Sequence, residues 1–295
     1  MQYNKMNDLD LAHKTVILRG DLNVPVQNGQ VSDFSRIDRL KPTIDYLRAQ
    51  NARIVVMSHF GRPKGTANPE FSLSFLPATL EARWGVPVAF ASDCIGAVAE
   101  DAVGTLQDGE VLLLENLRFH AEEEKNDKEF AQQLANLGDA YVNDAFSASH
   151  RAHASIAAIT DLLPAGAGLL IQEELDNLNA ILGNAERPMA AVVGGAKIST
   201  KLSLLSNLVK KVDYLILGGG MANTFLLARD IPVGKSLVEP DMVNEAQNIM
   251  AAADAHNCQI ILPIDVSCAK EFAANVPNEI PSTSTIPADL MVLDV

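Results

Sequence analysis

Arg19, Asp21 and Asn23 stand at every second position after the apolar run Val16-Ile17-Leu18. Side chains two apart on extended backbone share a face, so a cation, a carboxylate and an amide are expected together where a strand ends. Pro25 then forbids continued pairing in a central strand. A core strand has no use for three polar groups in a row, and an ordinary strand end in solvent is the bland alternative. Arg36, His59, Arg62, Arg118, His150 and Arg151 fall in or near other expected strand-end loops. The planar guanidinium fork pairs bidentately with phosphate or carboxylate, so several converging forks would hold a small, multiply charged anion. Taken singly, each arginine is better explained by a surface ion pair, and spacing alone does not bring them together.

A second set lies in the later half. Gly194-Gly195-Ala196-Lys197 follows an expected strand and precedes a helix expected to begin near Ser199. Glycines let backbone amides approach a phosphate, and a helix amino terminus adds partial positive charge. Lys197 and Lys201, four apart, would face one anion from a single helical turn. This is not a Walker loop: ahead of Gly234-Lys235-Ser236, the required earlier glycine is replaced by Arg229. Gly218-Gly219-Gly220 suits either a ligand's close approach or tight packing of strand on helix. No G-x-G-x-x-G follows a strand, which argues against a nicotinamide dehydrogenase.

These loops need a scaffold of alternating strands and helices. Strands are expected at Thr15–Leu18, Arg53–Met57, Val111–Leu114, Ala140–Val142, Ala190–Val193, Tyr214–Leu217, Gln259–Leu262 and Leu290–Leu293. Between them, Ile37, Leu40, Ile44 and Leu47 form one helical apolar face, and Phe130, Leu134 and Leu137 another. The alternation predicts parallel sheets covered by helices on both faces, with ligands at the carboxyl ends of the strands. Pro164-Ala165-Gly166-Ala167-Gly168 interrupts the rhythm, and Leu169 to Leu182 then reads as one connecting helix, with Leu175, Leu178 and Leu182 on a face and an end near Gly183 and Asn184. Ser282-Thr283-Ser284-Thr285 reads as a loop.

The chain has 295 residues, 48% of them hydrophobic, enough for one large or two ordinary cores. A formal charge of -14 argues against a nucleic-acid surface, which needs a basic stripe. Cys94, Cys258 and Cys268 show neither C-x-x-C nor zinc spacing, and an odd count suits a reducing compartment. Met1 to Asp10 has no apolar core of a signal peptide, and no segment reaches membrane-span length. A soluble, cytoplasmic protein is expected.

The residues 16–25, Val-Ile-Leu-Arg-Gly-Asp-Leu-Asn-Val-Pro, resemble the signature of phosphoglycerate kinases. Ser58-His59-Phe60-Gly61-Arg62-Pro63, Glu115-Asn116-Leu117-Arg118-Phe119, Val142-Asn143-Asp144-Ala145-Phe146 with His150-Arg151-Ala152-His153-Ala154-Ser155, the stretch Val193 to Leu202, and Gly218 to Phe225 are similar to that family's blocks, in its order. The resemblance implies two Rossmann-like parallel-sheet α/β domains: residues 1–168 for 3-phosphoglycerate, an interdomain helix at 169–184, and a partial nucleotide-binding domain at 185–295. It implies that Asp21, Asn23, Arg36, His59, Arg62, Arg118 and Arg151 bind 3-phosphoglycerate. Lys197, Lys201, Gly195, Gly218 and Gly219 would bind ATP or ADP, and Arg36, Lys197 and Lys201 would act on the transferred phosphoryl group. Magnesium would come with the nucleotide, with no protein ligand assigned to it. A hinge closure, a monomer, and no nucleic-acid or membrane partner are also implied. His150 stays open between loop support and ligand contact. Ser147-Ala148-Ser149 departs from the family's frequent Gly-Thr or Gly-Cys, which bears on the backbone before Arg151.

The family pattern continues beyond Val295 with an Asn-Gly-Pro block, an acidic nucleotide ligand and a Gly-Gly-Asp-Thr helix start, none of which occurs upstream. The second domain is therefore expected to be incomplete, with apolar faces uncovered. Two readings stand: a kinase seen as part of an active parent, or an inactive phosphoglycerate-binding fragment. For these residues alone, inactivity is the expectation.

Overall fold

The computed structural model describes residues 3–182 and 186–294. The chain divides into two compact units, Met1–Asn179 and Ala180–Val295.

The first unit opens with β1 (Thr15–Arg19), a short hairpin of β2 (Val26–Gln27) and β3 (Gln30–Val31), and the long helix α1 (Ser35–Ala49). It continues through β4 (Arg53–Met57), α2 (Pro77–Trp84), β5 (Val88–Ala91), α3 (Gly96–Thr105) and β6 (Val111–Leu114). Then come α4 (Ala121–Glu124), α5 (Lys128–Ala135), β7 (Ala140–Asn143), β8 (Ala165–Ala167) and α6 (Leu169–Leu182). Six strands form one parallel sheet in the order β5-β6-β4-β1-β7-β8.

Strands β1 and β6 are buried along their whole length, as expected of a parallel sheet covered on both faces. The two-residue period divides each strand between two cores. Val16, Leu18, Ile54, Val56 and Leu113 pack with Ile37, Leu40, Ile44 and Leu47 of α1. Ile17, Val55, Met57, Leu112 and Leu114 pack on the other side with Phe130 and Leu134 of α5. After β1 the chain crosses to β4 on one side, and β7 lies on the other. The loops leaving β1 and β7 therefore diverge at a topological switch point, the usual crevice of open α/β sheets.

Two expectations need correction here. The small-residue stretch at 164–168 does not break the rhythm: Ala165–Ala167 is edge strand β8, paired parallel to β7. Small residues are required there, because a Cβ on Gly166 would lie 2.9 Å from the Lys5 backbone. The strand expected at Leu290–Leu293 runs antiparallel, outside either parallel sheet. The helix after Gly168 forms as read, but its expected end at Gly183 and Asn184 lies outside the described residues.

The second unit contains β9 (Ala190–Gly194), α7 (Leu202–Leu208), β10 (Tyr214–Gly218), α8 (Gly220–Leu227), α9 (Val243–Ala255) and β11 (Gln259–Ile261). These three strands form a parallel sheet in the order β11-β10-β9. β12 (Ser267–Ala269), β13 (Asn278–Glu279) and β14 (Met291–Asp294) form a small antiparallel sheet. The Gly234-Lys235-Ser236 stretch anchors it: Lys235 N donates to Leu290 O at 2.8 Å, and Val292 N to Ser236 Oγ at 2.8 Å. That triplet is structural, as its spacing implied. The parallel sheet shows an apolar row on one face, where Val192, Ile216 and Ile261 are in register and Val192 is 76% exposed.

Asp144, just past β7, joins that strand to α6. It accepts from Thr43 Oγ1 at 2.6 Å and Ile171 N at 3.1 Å, and burial pushes its carboxyl up to about 6. A Cβ on Gly168 would fall 2.4 Å from Asp144 Cγ. Gly168→Ala is expected to cost about 1–3 kcal/mol through overpacking. The single tryptophan, Trp84, lies buried in the first unit with Nε1 donating to Ile37 O at 2.9 Å, so urea unfolding followed by its fluorescence reads this loss directly.

Candidate active site

The first unit gathers its charged residues at the carboxyl ends of β1, β4, β6 and β7. Asp21 lies just after β1, where Arg36 Nη1 and Ser147 Oγ both donate to its Oδ2, and Asn23 N donates to Oδ1 at 3.0 Å. Burial raises the Asp21 pKa, but the bonds from Ser147 and Asn23 and the Arg36 charge outweigh it and hold the carboxyl below its ordinary value. Asn23 Oδ1 accepts from Gly61 N at 2.9 Å, tying the loop after β1 to the loop after β4.

His59 is buried beside this carboxylate, and its Nδ1 lies 3.0 Å from Arg19 Nη2. Burial, then the Arg19, Arg118 and Arg151 charges, push its pKa down to about 3 against the opposing pull of Asp21. Arg118, buried after β6, donates from Nη1 to Gly61 O at 2.8 Å, and its Nε lies 3.2 Å from Glu124 Oε1 without an aligned hydrogen bond. Burial lowers the Arg118 pKa, with Arg151 and Arg19 adding to the effect and Glu124 opposing it. Arg151, after β7, donates from Nε to His150 Nε2 at 3.3 Å. Among the described residues Arg62 has no hydrogen-bond or ion-pair partner, and its side chain is exposed. A cleft of about 260 Å³ is lined by Asp21, Arg36, Arg39, Asp144, Ser147 and Glu174.

The structure thus brings Asp21, Asn23, Arg36, His59, Arg118 and Arg151 into one linked cluster. Arg19 behaves differently from the sequence reading. It does not present itself beside Asp21 and Asn23; β1 ends at Arg19, and its guanidinium turns inward, 1% exposed. Ser147 was missed as a contributor, although it occupies the position where the family pattern offers glycine. Glu123, fully buried and bonded to Ser155, was missed too, because nothing in its Glu-Glu-Glu run separates it from solvent carboxylates.

In the second unit the two glycine stretches meet. Gly218 pairs with Gly194 across β9 and β10, and Met221 N donates to Gly195 O at 2.8 Å. Gly219 has φ +67°, and a Cβ there would sit 2.9 Å from Gly195 O. Lys201 Cε lies over Gly195, 3.0 Å from where that glycine's Cβ would stand. The helix begins at Leu202, not near Ser199, so Lys197 and Lys201 do not share one helical turn. Ser199 N and Oγ both bond Glu239, at 3.2 Å and 2.6 Å, which fixes the turn and takes one amide from any anion. Glu239, forty residues away in sequence, carried no signal of this role.

The phosphoglycerate kinase family model matches residues 6–295. The phosphoglycerate kinase of Rhodospirillum centenum is 57% identical over 295 residues, covering all of this chain and 74% of that protein. That of Rhizobium meliloti is 53% identical over 296 residues, with the same two shares.

The chain belongs to the phosphoglycerate kinase family.

Solved structures agree. Phosphoglycerate kinase from Coxiella burnetii superposes with a TM-score of 0.83 at 37% identity, covering 99% of this chain and 74% of that one. The Pyrococcus horikoshii enzyme gives a TM-score of 0.80 at 27% identity, covering 98% and 74%.

Gly219→Ala is expected to cost about 1–3 kcal/mol, since this backbone conformation is essentially reserved for glycine. Urea unfolding monitored by far-UV circular dichroism measures the loss, and unchanged stability would show that the two loops yield without strain.

Proposed function

We propose that the first unit holds 3-phosphoglycerate and the second holds ATP or ADP, and that the pair carries out reversible phosphoryl transfer to the acid's carboxylate. The observation that carries this reading is the clustering of Asp21, Arg36, His59, Arg118 and Arg151 at one switch point. Three guanidiniums and one imidazole N–H suit a phosphate with a carboxylate at the far end of a short carbon chain. Asp21 and Asn23 bind the hydroxyl and carboxylate end, while His59, Arg62, Arg118 and Arg151 surround the phosphate. Asp21 also aims Arg36, which is left half-exposed toward solvent.

The substrate carboxylate is ionised at neutral pH, so it attacks the γ-phosphoryl group in line without a general base. The new C–O–P bond forms as the bond to the β-phosphate oxygen breaks, giving 1,3-bisphosphoglycerate and ADP. Arg36, Lys197 and Lys201 neutralise the equatorial oxygens, and the glycine backbone of 194–195 and 218–219 permits close approach of the nucleotide. In-line transfer requires both ligands to meet, so a hinge closure is part of the reading, with the helix α6 as its connector.

Magnesium would enter as counter-ion to the nucleotide's phosphates. The second-unit loops offer ammoniums and amides, a donor set for phosphate oxygen rather than for a hard cation. The one group of metal-ligating side chains among the described residues is Asp93, Cys94 and His120, whose sulfur and nitrogen donors are wrong for magnesium. A monomer in the cytoplasm completes the reading; three free cysteines fit a reducing compartment, and no helix of the described residues is long and apolar enough to cross a membrane. Nothing in the comparisons favours an inactive fragment over this kinase reading.

Turnover is tested with the 295-residue chain, magnesium-ATP and 3-phosphoglycerate, coupled to glyceraldehyde-phosphate dehydrogenase. Arg36→Ala is expected to lower kcat by about 10²–10³-fold, the range for removing one charge-stabilising donor. Folded chain that binds 3-phosphoglycerate yet never turns over would return the assignment to the fragment reading.

A further inference from the structure

We propose that Arg19 is a positioning residue that fixes His59 as its Nε2–H tautomer, so that a neutral imidazole offers one N–H donor to the substrate phosphate. The inference rests on the acid-site reading above, and its tautomer component stands on geometry in the free protein.

Every nitrogen of the Arg19 guanidinium has a partner. Nε donates to Ser155 Oγ at 3.1 Å, Nη1 donates to Gly20 O, and Nη2 lies 3.0 Å from His59 Nδ1. Arginine carries donors only and keeps its proton in proteins. The proton between Nη2 and Nδ1 therefore belongs to Arg19, and Nδ1 must present its lone pair. A neutral imidazole with a bare Nδ1 has its hydrogen on Nε2. An imidazolium would set one N–H against another across 3.0 Å.

The same directionality continues behind Arg19 and holds it in place. Ser155 Oγ gives its single proton to Glu123 Oε1 at 2.6 Å, so its lone pair is free to accept from Arg19 Nε. Ser155 N donates to Glu123 Oε2 at 2.9 Å, and Tyr141 Oη donates to Ser155 O at 2.7 Å. Arg19, Ser155, Glu123 and Tyr141 are all buried, so none of these bonds is exchanged freely with water.

The charges facing His59 come from every loop around it: Arg19 at the end of β1, Asp21 beyond it, Arg118 after β6 and Arg151 after β7. Three cations and burial disfavour the imidazolium, and only Asp21 favours it. The phosphate therefore meets a donor whose charge does not change across the ordinary histidine range. Arg19 itself contacts no ligand; it acts through His59.

The test is ring-nitrogen NMR of the whole chain with ¹⁵N-labelled histidine and no ligand. His59→Gln serves only to assign the His59 signals among the six histidines. The expected spectrum shows a bare Nδ1 and a protonated Nε2 at His59, unchanged between about pH 5 and pH 8. An Nδ1–H tautomer, an imidazolium, or a tautomer mixture in the wild-type chain would overturn the proposal, whatever the variants do. Arg19→Met should mix the tautomers of His59, since Nδ1 then loses the donor that holds its lone pair. A merely structural Arg19 would lower stability and leave the His59 signals as they are. Ser155→Ala, which frees Arg19 Nε, should move the signals in the same direction and serves if Arg19→Met does not fold. Added 3-phosphoglycerate should shift the Nε2 signal; a correct tautomer that ignores the ligand would sink the acid-site reading and leave the Arg19–His59 geometry intact.

Discussion

A guanidinium buried at the end of a central parallel strand is the constraint on which the first unit's site depends. Taking Arg19 out of water is costly unless its nitrogens are met, and backbone, hydroxyl and imidazole acceptors give each of the three a partner. Those acceptors come from the residue just past β1, from the loop after β4 and from the segment after β7. The buried cation therefore pins three loops to one another at the switch point. Removing any of its partners leaves a buried donor unmet, which is why Ser155, and Glu123 behind it, matter although neither reaches solvent.

Around that pinned centre, Arg118 and Arg151 stand close enough for each other's charge to be felt, with Glu124 beside Arg118 opposing it. Asp21 is occupied by Arg36 and Ser147. A multiply charged anion is the ligand such a cluster would suit. The second unit works by another means. Its glycines bring backbone to backbone at 194–195 and 218–220, and its cations, Lys197 and Lys201, stand on a turn outside the helix. In the proposed reaction, the first unit would work through side-chain charge and the second through backbone access.

Much of the fold was legible because the physics is local. Arg53–Met57 and Val111–Leu114 form strands at the bounds read from their apolar runs. Ile37, Leu40, Ile44 and Leu47 are all buried on one face of α1, as their spacing implied. Alanine and glycine hid β8, since a strand pressed against backbone carries little apolar pattern. The helix start was misplaced at Ser199 because Glu239, distant in sequence, holds that residue in a turn. The residues that cluster at the switch point were named through family resemblance, whereas the inward turn of Arg19 was not. Period-two alternation placed it on the ligand's face, but the strand ends there and Ser155, 136 residues on, draws it inside.

We propose that the cation cluster of the first unit accepts 3-phosphoglycerate. Thermal unfolding followed by Trp84 fluorescence, with and without that ligand, tests it most directly, because the only tryptophan lies in that unit. The account expects the midpoint to rise with ligand concentration, by about 2.7 kcal/mol of stability at a hundredfold excess over Kd. An unchanged midpoint at saturating 3-phosphoglycerate would contradict it.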